Sequence, residues 1–399
     1  MANVFDYLMW RGDLSLSQSG FNDVDNILLS LIAYIPFDGI VAEAPGGCVT
    51  LAEAAERFLA RPDAFKAARV RRDVELLAAM KDCPRFREMR LSAYVNQIDA
   101  AAEKQFAALA VELGKGTQGK SAYYIAFRGT DNTLVGWKED FNMSFMSPVP
   151  AQVEAARYLE KAAQALQGEF LIGGHSKGGN LAVYAAAFCP AAVQARIRQV
   201  YNNDGPGFDS GVLASAGHQA VKDRIRTFVP QTSVVGMLLE HEESYTVIRS
   251  VQVGLLQHDP YSWQIQGTQP AFLGEVSAGC RFFDRTIKDW VAGMDQSQRE
   301  QFVDLLYEIL GATNVQTLPE LTAHWYVNAR ILLKSLINLD EDMRRVLGRT
   351  LSLLLQSAKK NLPELRLPRP ELKLNLREKK KRPARRKEKG EEAQAGRDV

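Results

Sequence analysis

Residues that hold metal ions or build disulfide networks are scarce in this chain. Its 399 residues include four cysteines and five histidines. The cysteines, Cys48, Cys83, Cys189 and Cys280, lie far apart and form no CxxC pair, which argues against a zinc site and a dense disulfide framework. There is no HExxH, and no GxGxxG leads from a strand pattern into a helix pattern. We therefore expect no metal and no cofactor, and a reducing compartment.

Long apolar runs are absent as well. The best one covers residues 27–35 and is interrupted by Ser30, whereas a helix needs about 20 apolar residues to span a bilayer. The N-terminus lacks the combination of a basic segment and an apolar core that marks a signal peptide. These features predict a soluble cytoplasmic protein.

Net charge is small, +2 at pH 7, but unevenly distributed. Residues 361–399 contain 13 Lys/Arg and 7 Asp/Glu, and eight of these basic residues lie within 377–387. A segment this polar and rich in proline buries too little apolar surface to fold. Residues 363–399 are therefore predicted to be a disordered tail. Residues 377–387 are a candidate contact for an anionic membrane or a nucleic acid, and the alternative is a solvated end.

Hydrophobic residues make up 46% of the chain, and its length leaves room for two or three domains. Helical periodicity dominates residues 1–95, with capping patterns at Asn22 and Thr50. Strand and helix patterns alternate over residues 96–290. Helical patterns return in residues 291–362, which are expected to form a helical appendage. They cover residues 296–310, 319–337 and 340–358.

The alternating region predicts an α/β domain with a mostly parallel sheet and helices on both faces. Residues 104–113 and 121–127 have strand patterns joined by a Gly-rich turn, which is typical of a hairpin. Further patterns predict a helix at 151–166, a strand at 169–172, a helix at 180–188 and a strand at 197–201.

The most informative segment is a GxSxG, Gly174-His175-Ser176-Lys177-Gly178, between an apolar strand pattern and an Ala-rich helix pattern. A nucleophile elbow needs this context, in which the serine occupies a sharp strand-to-helix turn and small neighbours allow close packing. The helix N-terminus then directs amide groups towards a developing oxyanion. The alternatives are an ordinary glycine-rich turn and a phosphate-binding loop, although GxxxxGK[ST] is absent.

A second motif precedes the elbow. The segment YYIAFRGTDNTLVGWKEDFNMSF, residues 123–145, resembles class 3 lipases, in which a strand ending in F-R-G-T is followed by a tryptophan and an acidic residue. Here these are Trp137 and Asp140. With the elbow, residues 100–270 resemble a lipase-like serine α/β-hydrolase, specifically its bacterial lipase-like branch. The resemblance implies that Thr130 supplies one amide of the oxyanion hole and Lys177 the other.

A serine nucleophile needs an imidazole base and a carboxylate that orients it. His258 is predicted to be the base, because it follows the strand-like residues 245–251 and the histidine comes last in α/β-hydrolases. The alternative is that it caps the turn at Asp259. The other histidines fit less well. His175 lies inside the elbow, His218 in a predicted polar loop, His241 among glutamates and His324 in a predicted late helix.

The acid has several candidates. Asp204 follows a strand pattern and precedes a Gly-Pro-Gly turn, which places its carboxylate at the end of a strand. Class 3 lipases usually carry their acid one strand later, where this chain has Ser233. Asp204 is therefore the first choice, Glu240 or Glu242 the second, and an incomplete triad the third.

These residues favour hydrolysis of a carboxylic ester, from a small molecule or a lipid, through an acyl-enzyme on Ser176. Residues 234–239 are interpreted as an acyl pocket, a lid or a buried core segment. A thioesterase or amidase would use the same machinery. The alternative function is a catalytically weak or inactive hydrolase-fold scaffold that binds polyanions through its basic tail. An intact Ser–His pair would favour the enzyme.

Overall fold

The computed structural model describes residues 2–115, 119–131, 134–143, 147–233, 235–274, 276–311, 331 and 339–362. The basic tail and nearly all of the helix predicted at 319–337 lie outside this set. The disorder of the tail and the proposed domain boundaries therefore stay predictions.

One mixed sheet forms the centre of the described chain. Its strands are β1 (Val49–Thr50), β2 (Arg90–Asp99), β3 (Lys104–Lys115), β4 (Ser121–Phe127), β5 (Glu169–His175), β6 (Ile197–Asn203), β7 (Ile225–Pro230), β8 (Tyr245–Ile248) and β11 (Phe272–Leu273). The strands β9 (Ile265–Gln266) and β10 (Gln269–Pro270) form a separate small hairpin. The spatial order is β1-β2-β3-β4-β5-β6-β7-β8-β11. Neighbours from β4 to β8 are parallel, and the pairs at both edges are antiparallel.

Helices cover the sheet on both faces. In chain order the α-helices of the described residues are α1 (Val4–Arg11), α2 (Asp23–Ile32), α3 (Leu51–Leu59), α4 (Ala64–Ala67), α5 (Arg71–Lys81), α6 (Leu134–Asn142), α7 (Pro150–Ala165), α8 (Lys177–Phe188), α9 (Ala191–Gln194), α10 (Ser210–Leu213), α11 (Ala216–Val221), α12 (Ala278–Ala292), α13 (Gln296–Gly311) and α14 (Glu341–Asn361). This arrangement confirms the α/β-hydrolase-like fold class.

The strands divide the hydrophobic core into two layers. Successive side chains of a strand point to opposite faces, so Tyr124 and Ala126 of β4 pack with the N-terminal helices α1–α5. Ile125 and Phe127 pack on the other face with α7, α8 and α11. The first helices therefore complete the core of the sheet.

Helix α2 shows how strongly the N-terminal segment is tied to that core. The Asn22 side chain accepts hydrogen bonds from the amides of Val24 and Asp25, which begins the helix as predicted. Every residue of α2 is buried, and the helix packs against β5. Strand β5, which leads to Ser176, thus packs on a helix about 150 residues earlier in the chain.

The predicted hairpin is confirmed, because β3 pairs antiparallel with β4. Its other neighbour, β2, does not follow from the sequence pattern. The register of β2 shifts between Ser92 and Val95, and Ala93 adopts a φ of 53°. A bulge of this kind breaks the two-residue alternation that marks a strand.

Among the described residues, three helices follow the sheet, and two of them match the patterns at 296–310 and 340–358. Asp340 caps helix α14, and its side chain accepts from the Met343 amide at 2.7 Å. It packs on α12, where the Trp290 indole donates to the Thr350 carbonyl at 2.9 Å. No helix of the described chain is long and apolar enough to cross a membrane.

Candidate active site

Ser176 occupies the sharp turn between β5 and α8. Its φ of 59° and ψ of −134° are strained for a residue with a side chain. The neighbouring glycines are required by close packing. A Cβ on Gly174 would come within 2.4 Å of the Gly178 backbone, and one on Gly178 within 2.2 Å of the Phe127 carbonyl. Strand, strained serine and helix thus form the elbow geometry that the motif predicts.

His258 and Asp204 are brought together from different parts of the chain. His258 ends a 3₁₀ turn, Gly254–His258, and Asp204 follows β6 in the left-handed region with a φ of 57°. The His258 Nδ1 and Asp204 Oδ2 atoms lie 2.7 Å apart. The Asp204 side chain is fully buried, and 26% of the His258 side chain is exposed. Asp259, rather than His258, caps the following turn by accepting from the Tyr261 amide.

The other candidate acids have different partners. Glu242 accepts hydrogen bonds from Gln219 and Lys222 at the surface. Glu240 is exposed, and its backbone pairs with that of Phe208. The structure therefore brings Asp204, and not these glutamates, to His258.

Ser233 stands where the resemblance expects an acid, and it is coupled to Asp204. Its hydroxyl donates to Asp204 Oδ1 at 2.5 Å and accepts from the Gly236 amide at 3.0 Å. A Cβ on Gly236 would lie 2.2 Å from the same carboxylate oxygen. The serine thus occupies the usual acid position and holds the carboxylate supplied by the preceding strand.

Ser176 and His258 share one cavity of about 300 Å³. Thr130 and Lys177, the predicted oxyanion-hole residues, line it too. In the described part of the chain, neither of their amides donates a hydrogen bond to another protein group. The remaining lining residues are Tyr34, Arg69, Asp131, Asp140, Met143, His175, Pro206, Val235, Leu238 and Leu239.

His175 contributes to the site in a way that the sequence does not reveal. Burial lowers the pKa of His175 well below its usual value, so the ring is neutral. Its Nε2 lies 2.8 Å from the His258 carbonyl and its Nδ1 lies 3.1 Å from the Tyr34 hydroxyl. With Nε2–H donating, His175 fixes the backbone of the candidate base. Its ring centroid is 4.5 Å from that of His258.

A buried charge cluster lies beside the serine. The Lys177 ammonium donates to Glu139 Oε2 and Gln105 Oε1, each at 2.8 Å, and to the Gln105 carbonyl at 3.1 Å. Glu139 also accepts from the amides of Gln105 and Ala151. The lysine next to the serine therefore links the elbow to β3, α6 and α7. The sequence signal for this link is a lysine directly after the elbow serine, between an apolar strand pattern and an Ala-rich helix pattern.

Asp140 extends the cluster into the cavity. The Thr130 hydroxyl donates a hydrogen bond to its carboxylate, and Lys177 Nζ lies 3.8 Å from its other oxygen. Burial raises the pKa of Asp140 to about 6, although Lys177 and Thr130 act in the opposite direction. Asp140 thus fixes the loop that carries the Thr130 amide. The Trp137 side chain lies outside the described atoms.

His241 and His218 do not line the cavity that contains Ser176. His241 is held between Glu243, at 3.0 Å, and the Gly236 carbonyl, at 2.7 Å. His218, expected in a polar loop, is instead fully buried in α11 because that short helix packs on α8. His324 lies outside the described residues. Among the described residues, no group of His, Cys, Asp or Glu is placed to hold a metal ion.

Comparison with known proteins identifies the family of this fold and site. Residues 80–308, more than half of the chain, match the family model Mbeg1-like. The chain belongs to the Mbeg1-like family. This is a lipase-like family, and the matched segment contains Ser176, Asp204 and His258.

Solved structures and curated proteins add little to the Mbeg1-like assignment. The crystal structure of M37 lipase is similar to this chain with a TM-score of 0.35 and 14% identity, covering 67% of this chain and 92% of the M37 chain. None of the curated proteins matches the sequence.

Proposed function

We propose that this Mbeg1-like chain is a serine hydrolase that cleaves carboxylic esters. The observation that carries the proposal is the 2.7 Å contact between His258 Nδ1 and the buried Asp204 carboxylate. A proton on Nδ1 that donates to Asp204 leaves Nε2 free to act as a base. His258 lines the same cavity as Ser176, whose strained turn presents its hydroxyl there.

In the proposed reaction, His258 takes the proton of the Ser176 hydroxyl while the Ser176 oxygen attacks the ester carbonyl carbon. The carbonyl electron pair moves onto oxygen, and the Thr130 and Lys177 amides stabilise this oxyanion. Collapse breaks the bond to the alcohol, which leaves with the proton from His258. Water then repeats these steps on the acyl-enzyme and releases the acid and free Ser176.

The cavity also supports an ester with an apolar arm. Met143, Val235, Leu238 and Leu239 form part of its wall, and apolar surface of this kind favours hydrocarbon over charged groups. Small esters and lipid esters both fit this description. Thioesters and amides would pass through the same steps, so substrate class is decided by measurement.

Reaction with a fluorophosphonate probe tests the nucleophile. We expect the probe to label Ser176, and Ser176→Ala to lose both labelling and short-chain ester hydrolysis by several orders of magnitude. Ser17, an exposed serine in an N-terminal turn, provides a matched control, and Ser17→Ala should retain both. A folded wild-type protein that neither reacts with the probe nor hydrolyses esters would instead support the scaffold function.

A further inference from the structure

A second cavity of about 540 Å³ adjoins the cavity that contains Ser176. Met143, Leu238 and Leu239 line both spaces, so the two cavities share a wall. The far side of the second cavity is formed by α12, through Ile287 and Val291. The helices that follow the sheet therefore reach the neighbourhood of the serine.

The lining of the second cavity separates apolar from charged groups. Phe208 and Met143 are buried there, and Val291 is half-buried. The charged residues Asp209, Glu240 and Lys288 are exposed, and Arg299, whose Nε donates to the Val291 and Met294 carbonyls, is half-buried. Three of the four charged residues thus lie at the rim, and apolar side chains form most of the interior, as expected for a site that takes up hydrocarbon and leaves polar groups in water.

The shared wall contains a strained residue. Leu239 has a φ of 64°, a left-handed conformation that is unfavourable for a bulky side chain. Hydrogen bonds hold the backbone on both sides of it: the Gly207 amide donates to the Leu238 carbonyl, and Phe208 and Glu240 pair with each other. Strain that the surroundings maintain in this way is concentrated at functional sites.

We propose that the second cavity holds the distal part of a long, unbranched acyl chain whose ester group lies at Ser176. This inference rests on the proposed ester hydrolysis and adds the substrate class, long-chain acyl esters. Leu239 lies where the chain passes from one cavity to the other. Helix α12 then determines acyl-chain length, although it lies about 100 residues after the serine.

Filling the second cavity tests the assignment. Val291→Trp should lower the ratio of kcat/KM for p-nitrophenyl palmitate to kcat/KM for p-nitrophenyl acetate by about tenfold or more. Ala292→Trp, on the same wall, should act in the same direction. Arg285→Trp is the matched control, because Arg285 is an exposed residue of α12 outside the cavity lining, and it should keep the wild-type ratio.

Palmitate binding separates this inference from the proposed reaction. In a Ser176→Ala background, displacement of a fluorescent fatty acid should report palmitate binding that Val291→Trp weakens by about tenfold and Arg285→Trp leaves unchanged. If Val291→Trp weakens palmitate binding but the wild-type protein hydrolyses no ester, the hydrolase proposal is overturned and the acyl site is retained. An unchanged chain-length ratio and unchanged palmitate binding in both cavity-filling variants would overturn the acyl site.

Discussion

His258 and the residue before it are held by contacts from distant and neighbouring parts of the chain. Asp204 accepts from its ring, His175 contacts its carbonyl, and the Trp263 indole donates to the carbonyl of the preceding Gln257 at 2.8 Å. A candidate base at the end of a short 3₁₀ turn thereby gains a defined position. Its ring orientation depends chiefly on Asp204, because that carboxylate selects which nitrogen carries the proton.

Replacement of the acid tests this dependence. Asp204→Asn should lower kcat for ester hydrolysis by about 10⁴-fold at neutral pH, because the amide favours the wrong tautomer of His258. Steady-state kinetics of the purified variant would measure the effect. Glu242→Gln, a surface carboxylate with its own partners, should retain nearly the wild-type rate. The opposite ranking of the two variants would move the acid to Glu242.

Asp140 makes stability depend on pH. Its pKa in the folded protein, about 6, lies above its ordinary value of 3.8, so the folded state binds the proton more tightly than the unfolded state. The stabilisation is complete below about pH 4 and is lost as pH rises towards 6. Thermal unfolding of wild type and Asp140→Asn across this range should show wild type losing stability relative to the variant. Parallel curves would contradict the raised pKa.

At the scale of elements, α2 is fixed by a buried ion pair. Arg85, in the segment between α5 and β2, donates to both Asp25 oxygens, at 2.7 and 2.5 Å. The same guanidinium donates to the carbonyls of Leu14, Ser19 and Gly20. Both charged side chains are fully buried. One arginine therefore joins the loop before α2, the helix itself and the chain that leads into the sheet.

Loss of that arginine should destabilise the fold. Arg85→Met leaves Asp25 buried without its counter-charge, and a broken buried pair costs about 3–5 kcal/mol. Denaturant unfolding would measure this loss of free energy of unfolding. Arg71→Met is the matched control, because the Arg71–Glu75 pair is exposed, and it should change stability by less than about 1 kcal/mol. Equal effects of the two substitutions would show that the buried pair contributes no more to the free energy of unfolding than the exposed pair.

At the scale of the whole molecule, charge is divided between a mildly acidic body and a basic tail. Residues 1–360 contain 36 Lys/Arg and 40 Asp/Glu, whereas residues 361–399 contain 13 and 7. The candidate catalytic residues and the two cavities all belong to the body. Any attraction to polyanions is therefore expected to reside in the tail.

Deletion of residues 363–399 tests this division. The truncated chain should fold and hydrolyse a water-soluble ester at the wild-type rate. Binding of the full chain to anionic vesicles or nucleic acid should weaken on truncation and lose its salt dependence, because each phosphate contact by Lys or Arg releases counterions. Equal polyanion binding by the full and truncated chains, with equal salt dependence, would show that the tail is not an attachment segment. Loss of ester turnover would show that the tail folds onto the body.

The sequence by itself determined the local elements of this protein. The GxSxG between an apolar strand and an Ala-rich helix, the hairpin of β3 and β4, and the caps at Asn22 and Thr50 all depend on residues close together in the chain. Backbone preferences, capping and hydrophobic periodicity act over a few residues, so their signals survive without a structure. Strand β2 escaped prediction because its bulge interrupts the same kind of signal.

Only the tertiary structure decided which distant groups meet. The sequence ranked Asp204, Glu240 and Glu242 as acids, and only the parallel order of β5, β6 and β7 brings Asp204 to His258. The contacts of Lys177 with Glu139, and the approach of α12 to the serine, likewise join segments dozens of residues apart. Such contacts depend on strand order and packing, which local periodicity does not encode.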